Sequence, residues 1–476
     1  MKLIIARSRL QEVLRQAARI QGRPGLASSA RPFSDHVYFQ ADTAQGVQVG
    51  LINAPMWGQW ELGSTQGNQL SVERPGVASA PIQKLQALVR QWEEDYLALE
   101  AVPDEQTQGG LSLWVYGAYD AQPSDSTRRY RLRGHAEAAH QHDQFDREWD
   151  QRIRVEAQVL HRLLAQTLFA VASAQESSNI ALSGVCLEIY PSGEEAAQSQ
   201  DLALYANATN AKILAQSRQD PAARVMESAA SVDGQRLVLP ADFARTLYDY
   251  TKGMESRITG ERVPDPPLEM AFSATRVQVH APGNWTLSTH LIGSAYPDVQ
   301  KVFPQTYHRL LVDRKALLGA LRRVTLVHDQ KSQASIGLSF LDGQKANAAA
   351  DDASWGAAKQ GFRVPQEAHP GPYVLGVEGF GRDAHSSIEQ NAREQIDLEG
   401  ASVRQPIELS DVDRESPVGL FLNAGYLKSV LEHLETEYVG IEWDPRQTKE
   451  STPILLRPTD SSTGGGSCYL IVPFRL

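Results

Sequence analysis

The densest group of side chains able to hold a metal is His135, His140 and His142, with Glu137 and Asp143 beside them. Imidazole and carboxylate ligands suit zinc, and a bound zinc ion could activate water for hydrolysis. Spacings of five and two, however, do not put these ligands on one helix face, and a solvated polar linker accounts for them better. Gly376, Gly379 and Gly381 lack the strand–turn–helix setting of a dinucleotide site and read as a flexible loop. A G-x-x-x-x-G-K-[ST] loop, an H-E-x-x-H pair and a G-x-S-x-G elbow are missing. The residues commit to no catalytic group, no metal and no cofactor.

A different chemistry is concentrated in two stretches of helical spacing. The first carries Arg7, Arg9, Arg15 and Arg19 against Glu12; another carries Arg314, Lys315, Arg322 and Arg323 against Asp313. Lys84 and Arg90, Arg162, and Arg245 and Lys252 add bases to three similar stretches. The chain as a whole has 46 basic and 57 acidic residues, a net charge of −11. Bulk charge therefore disfavours a general nucleic-acid binder, while these stretches invert the sign locally. They fit either solvated helix faces or a surface that tracks phosphates without reading sequence.

The elements that carry these bases repeat. Apolar residues at helical spacing occur at Leu10, Val13, Leu14 and Ala17; at Leu85, Leu88, Val89 and Trp92; and at Leu160, Leu163, Leu164 and Thr167. They return at Phe243, Thr246, Leu247 and Tyr250; at Leu317, Ala320, Leu321 and Val324; and at Leu427, Val430, Leu431 and Leu434. The first anchors stand 75, 75, 83, 74 and 110 residues apart. Each stripe predicts a helix with one buried face. Short extended runs precede them: Leu3–Ile5, Ala78–Pro81, Ile153–Val155, Leu237–Leu239, Leu310–Val312 and Leu420–Leu422. Between the helices, period-two runs such as Val37–Gln40, Val47–Ile52, Arg276–Ala281 and Tyr469–Phe474 predict mostly antiparallel strands. Paired units make three domains, each of two helices backed by sheets: 1–150, 151–305 and 306–476. Residues 119–150 read as a polar loop between the first two. Residues 342–390 read as a surface insertion in the third, and GGGS at 464–467 as a hairpin tip.

Length and composition agree. A chain of 476 residues suits about three ordinary domains. Its 42% of apolar residues can build their cores. No run approaches the roughly 20 apolar residues that span a bilayer, and the N-terminal stretch lacks a signal peptide's apolar run. Cys186 and Cys468 each stand alone, against a disulfide framework and for a reducing cytosol.

Several segments then resemble one family. LIGSAYPDVQKVFP (291–304) is similar to the L-x-x-G-x-[FY]-P-[DN]-[YF]-x-x-[VL]-[IL]-P segment of the bacterial sliding clamp, the β subunit of DNA polymerase III. YLIVPFRL (469–476) resembles that family's C-terminal strand, GRP (22–24) follows the first helical stretch as in the family, and ATNAKILA (208–215) takes the place of A-T-D-G-H-R-L-A. The resemblance runs in order along nearly the whole chain, apart from 119–150 and 342–390. Asn210, Ala211, Lys212 and Ile213 replace the family's Asp-Gly-His-Arg, and Val472 and Phe474 replace methionines.

The resemblance implies an α+β fold of three tandem clamp domains, closed head-to-tail into a ring dimer. It implies a non-enzymatic processivity factor of DNA replication that encircles duplex DNA in the cytoplasm, independent of sequence, without cofactor or membrane. Implied partners are the polymerase III catalytic subunit, the clamp loader, other proteins with clamp-binding motifs and a second copy of the chain. Arg15, Arg23, Lys84, Arg90, Arg245, Lys315, Arg322 and Arg323 would meet phosphates, and Leu326 and Val327 would face Tyr130 and Leu132 across the subunit seam. A partner-peptide groove would comprise Leu182, Thr209, Ala211, Lys212, Ile213, Leu214, Pro297, Lys301 and Val302 with Asn423, Tyr426, Leu470, Val472, Pro473, Phe474, Arg475 and Leu476. Asn423 and Arg475 are expected to orient the peptide backbone. An accessory or mobile-element clamp with other partners is the alternative, followed by a metal-dependent hydrolase built on the His135–His142 cluster.

Overall fold

The computed structural model describes residues 1–20, 35–53, 56–63, 70–104, 110–119, 122–123, 128–135, 149–192, 200–228, 234–255, 267–281, 285–303, 308–327, 335–342, 373–382, 389–398, 420–443, 453–459 and 466–473. Among the described residues stand six α-helices, each entered directly from a strand. Helix α1 (Arg7–Ile20) follows Lys2–Ala6, α2 (Ile82–Arg90) follows Gly76–Pro81, and α3 (Ala157–Ala165) follows Gln151–Glu156. Helix α4 (Ala241–Glu255) follows Gln235–Pro240, α5 (Arg314–Val324) follows His308–Asp313, and α6 (Ala424–His433) follows Leu420–Asn423. These are the six repeats of the sequence. Their anchors are buried, Leu10, Leu85, Leu160, Phe243, Leu317 and Leu427 among them, and each such side chain gains about 1.5–3 kcal/mol from leaving water. Three anchors lie past the last helical residue yet remain buried: Trp92, Thr167 and Leu434. Thr167 keeps its place by donating its hydroxyl to the Leu163 carbonyl at 2.7 Å.

The chain divides into two compact units. The first takes residues 1–162, 189–203 and 221–293. In one of its sheets Lys2–Ala6 lies between Leu70–Arg74 and Tyr96–Pro103; Gly110–Tyr119 follows, and Arg129–His135 forms the edge, all antiparallel. A second sheet runs Gln151–Glu156, Pro267–Phe272, Arg276–Ala281, Trp285–His290, Met56–Leu62, Gly46–Asn53, His36–Asp42 and Gly76–Pro81. Gln151–Glu156 alternates buried and exposed at every residue, the pattern of a sheet with one wet face. Helix α1 packs on α2 and α4, and His161 of α3 stacks on Tyr248 of α4 with ring centroids 4.7 Å apart.

The second unit takes residues 163–188, 204–220 and 294–476. One sheet orders His308–Asp313, Tyr438–Trp443, Ile454–Pro458, Ser467–Ile471 and the start of Ile213–Ser228. The other orders Leu420–Asn423, Ser335–Asp342, Tyr373–Arg382 and Glu389–Leu398. Helices α5 and α6 pack together. Asp313 caps α5 by accepting from the Ala316 amide at 2.7 Å.

The structure departs from the sequence reading in three places. Residues 129–135, expected within a polar loop, form an edge strand. Their three arginines are exposed, as suits an edge that must not pair indiscriminately, and this charge masked the strand pattern. Gly134 lets that strand approach Ser79, since a Cβ there would lie 1.8 Å from the Ser79 carbonyl oxygen. Second, Tyr373–Arg382 is a sheet strand inside the expected insertion and carries Gly376, Gly379 and Gly381, for which the sequence suggests a loop. Glycine disfavours strands in isolation, and pairing on both sides overrides it. Third, the C-terminal strand ends at Ile471, before Val472 and Pro473, rather than at Phe474.

Candidate functional site

A tight turn in the second unit organises the residues expected to form the groove. Ala211 has φ +70°, a left-handed conformation that costs an alanine about 1–2 kcal/mol. Hydrogen bonds hold it there. The side-chain oxygen of Asn210 accepts from the amides of Lys212 at 3.1 Å and Ile213 at 2.9 Å. The Thr209 hydroxyl donates to the Ile213 carbonyl at 2.7 Å and accepts from the Ala211 amide at 3.1 Å. The strand that follows pairs with the C-terminal strand, Ile213 opposite Ile471 and Leu214 opposite Leu470. The Val472 amide then donates to the Lys212 carbonyl at 2.9 Å. Thr209, Ala211, Lys212, Ile213, Leu214, Leu470 and Val472 thus form one hydrogen-bonded patch.

The other expected groove residues stand on separate elements of the same unit. Leu182 is buried in a short 3-10 turn, Ile180–Ser183, and its carbonyl accepts from the Ala172 amide at 2.9 Å. Pro297, Lys301 and Val302 are exposed on and beside the 3-10 turn Val299–Val302. Lys301 pairs with Asp298 at 3.1 Å. Tyr296 anchors this segment by donating to the Asn207 carbonyl at 3.3 Å, and burial pushes its hydroxyl pKa well up. Val302 is 49% exposed, whereas Ile213 and Leu470 are core residues; the accessible apolar surface therefore lies with Pro297, Val302, Val472 and Pro473. Tyr426 is half-buried on α6. Asn423, expected to orient a peptide, caps α6, its side-chain oxygen accepting from the amides of Gly425 at 2.8 Å and Tyr426 at 3.2 Å. Phe474, Arg475 and Leu476 lie outside the described residues.

Sequence reasoning missed Glu176 here. One of its carboxylate oxygens accepts from the Asn210 side-chain amide at 2.9 Å, and the other from the Ser173 amide at 2.9 Å and hydroxyl at 2.8 Å. These bonds, the Ser173 amide foremost, hold its pKa below the ordinary glutamate value. Glu176 and Asn210 are 34 residues apart, and no local spacing announces the pair.

The basic residues divide into two kinds. Lys84, Arg90, Lys315, Arg322 and Arg323 are exposed on their helices. Arg15 pairs with Glu12, and with Arg90 it borders an open groove between α1 and α2 that Ser8, Gln11, Gln86 and Val89 also line. Arg245 stands 3.8 Å from Asp242 and Arg322 3.0 Å from Glu432, exposed pairs worth little to stability. By contrast, Arg7 donates to the Trp92 carbonyl at 2.6 Å and Arg314 to carbonyls at the end of α6. Those two bases are committed to helix ends. Arg9 is half-buried, and desolvation lowers its pKa. Arg23 lies outside the described residues.

Of the expected seam residues, Tyr130 is 49% exposed on the edge strand and meets Trp92 edge-on at 5.3 Å, with Leu132 half-buried beside it. Leu326 is 82% exposed after α5. The side chain of Val327 lies outside the described set. His135 is on the edge strand, while Glu137, His140, His142 and Asp143 lie outside the described residues; among the described residues no three metal-ligating side chains converge. No described helix is long and apolar enough to cross a membrane.

No protein-family model and no curated protein matches the chain. Solved structures do match, over its whole length. The DNA polymerase sliding clamp of Bacillus subtilis superposes with a TM-score of 0.69 at 16% identity, covering 100% of this chain and 99% of that one. The Pseudomonas aeruginosa clamp gives 0.68 at 18% identity, covering all of both chains. The C. crescentus β sliding clamp gives 0.68 at 19%, covering 100% and 99%. Helices paired over antiparallel sheets, matched end to end at low identity, identify the architecture: the chain has the fold of the bacterial DNA polymerase sliding clamp.

Proposed function

We propose that this protein is a DNA sliding clamp, a non-catalytic ring that encircles duplex DNA in the cytoplasm and tethers a replicative polymerase to it. The observation that carries this reading is the full-length likeness to sliding clamps together with exposed bases on the repeated helices of an acidic chain. Three clamp domains, 1–150, 151–305 and 306–476, each supply one helix pair, and two copies close the ring. Its basic helices contact phosphates weakly while topology holds the DNA, and the acidic remainder repels it. The seam joins Tyr130 and Leu132 of one copy to Leu326 and Val327 of the other. The polymerase, the clamp loader and other motif-bearing proteins dock short peptides ending in apolar or aromatic residues between domains two and three, on the groove residues named above.

The departures at Asn210, Ala211, Lys212 and Ile213 favour a partner set of the chain's own, as an accessory clamp would have. The test is primer extension on a circular single-stranded template with the resident polymerase and loader. Longer products in the presence of this chain support the tether; unchanged product length contradicts it. Repeating the assay with polymerases of different origin identifies the partner set.

A further inference from the structure

The family-like motif at this turn has an aspartate where this chain has Asn210, and the difference matches a residue far away in sequence. Asn210 is 6% exposed and uses both ends of its amide: oxygen to the Lys212 and Ile213 amides, nitrogen to Glu176. An aspartate would place two carboxylates about 3 Å apart, an arrangement in which like charges repel and the pKa of one of them is raised. The Asn210 amide is therefore the partner that a charged Glu176 requires, and Glu176 in turn is fastened to the 173–176 turn by two further hydrogen bonds.

We infer that Glu176 is a positioning residue of the peptide groove: acting through Asn210, it fixes the left-handed turn at Ala211 from which the segment at Val472 hangs. The inference rests on the groove reading proposed above. Its path is continuous, from Ser173 through Glu176 and Asn210 to the Ile213 amide, whose peptide group carries the Lys212 carbonyl that holds the Val472 amide. If this turn relaxes, the Lys212 carbonyl moves and the edge of the groove moves with it.

The hydrogen bonds also specify a reciprocal exchange. In N210D/E176Q the donor and acceptor trade places. The amide introduced at position 176 donates to the carboxylate introduced at position 210, whose oxygens still accept from Lys212 and Ile213. The side-chain oxygen at position 176 still accepts from Ser173. Every bond of the wild type is kept. In N210D alone the two carboxylates face each other with no donor between them; the Lys212 and Ile213 amides, the Ser173 donors and the Lys212 ammonium offset their repulsion only in part.

The test uses the full-length protein and a fluorescein-labelled hexapeptide ending in Leu-Phe, read by fluorescence anisotropy, with melting curves confirming that each variant is folded. N210D should weaken binding about tenfold, the scale of a lost hydrogen bond to a charged group, and the double variant should recover wild-type affinity to within about twofold. The N210D defect should shrink in acid as one carboxyl takes up a proton. A double variant as weak as N210D, or single variants that bind like wild type, overturns the inference while leaving the groove standing. A wild-type protein that ignores the peptide overturns the groove and the inference with it.

Discussion

Arg314 bridges the first turn of α5 to the last turn of α6, its Nη1 donating to the Leu431 carbonyl at 2.9 Å and its Nε to the Thr436 carbonyl at 2.8 Å. Arg7, the residue that likewise opens α1, donates to the Trp92 carbonyl just past α2. The backbone follows suit: the Arg7 amide donates to Asp95 and the Arg314 amide to Glu437. In both places the arginine that opens one helix is tied to carbonyls at or just past the C-terminal end of its neighbour, the end of a helix that favours a cation.

This separates two kinds of base on one helix. Arg314→Ala should cost about 2 kcal/mol of stability, the scale of hydrogen bonds to a charged group, and leave the salt dependence of DNA binding unchanged. Lys315→Ala should do the reverse, lowering the slope of log K against log salt by about one and leaving urea unfolding as it was. Both quantities come from standard titrations. A lowered salt slope in Arg314→Ala would count against the division.

His36 carries a pH dependence in the first unit. It is 9% exposed and sits 3.1 Å from the Ser79 hydroxyl, which also accepts from the His135 amide at 2.9 Å. Desolvation lowers its pKa below the ordinary 6.5, with Asp35 opposing and His135 reinforcing the shift. The unfolded chain thus takes up this proton more readily than the native one. Stability is complete above about pH 6.5 and is lost as pH falls through the lowered native value. His290 shifts the same way for the same reason. His36→Gln should therefore remove part of the loss of stability between neutral and mildly acidic pH, read from melting temperatures. An unchanged profile would exclude His36 as its source.

Ala211 makes a prediction of opposite sign to most substitutions. Glycine relieves about 1–2 kcal/mol of left-handed strain but gives the unfolded chain freedom worth about 0.4–1 kcal/mol. Ala211→Gly should stabilise the protein by up to about 1.5 kcal/mol, seen as a higher urea midpoint. Ala211→Val should lower the midpoint, because a β-branched side chain is worse off at positive φ.

The six helices were legible because one physical demand, a buried stripe, writes itself locally at three- and four-residue spacing. Leu10, Leu85, Leu160, Phe243, Leu317 and Leu427 all anchor as the spacing implies. Arg129–His135 was not legible, since at an edge the exposed arginines outnumber the apolar residues, nor was Tyr373–Arg382, whose three glycines are tolerated only by pairing on both sides. Charge counting could not tell Arg7 and Arg314 from their neighbours, because sequence gives the sign of a side chain and not the carbonyl it reaches. The turn at Ala211 came into view through the motif around it; its brace, Glu176, depends on a fold-level contact that no window of sequence contains.

Leu326 tests the proposed seam. An isolated leucine at 82% exposure is ordinary alone, but opposite an edge strand that presents Tyr130 it would be buried by a second copy. Leu326→Asp should shift the protein from dimer to monomer at micromolar concentration in light scattering, with little change in its melting curve. A dimer that survives the substitution places the interface elsewhere.

In the proposed ring, topology rather than affinity keeps this protein on DNA. The most direct measurement loads it onto nicked circular plasmid with its loader, passes the complex through gel filtration in high salt, and repeats the run after a single restriction cut. Co-elution with the circle and release from the linear form are expected, because a closed ring leaves only over an end. Equal retention on both forms, or on neither after loading, would contradict it.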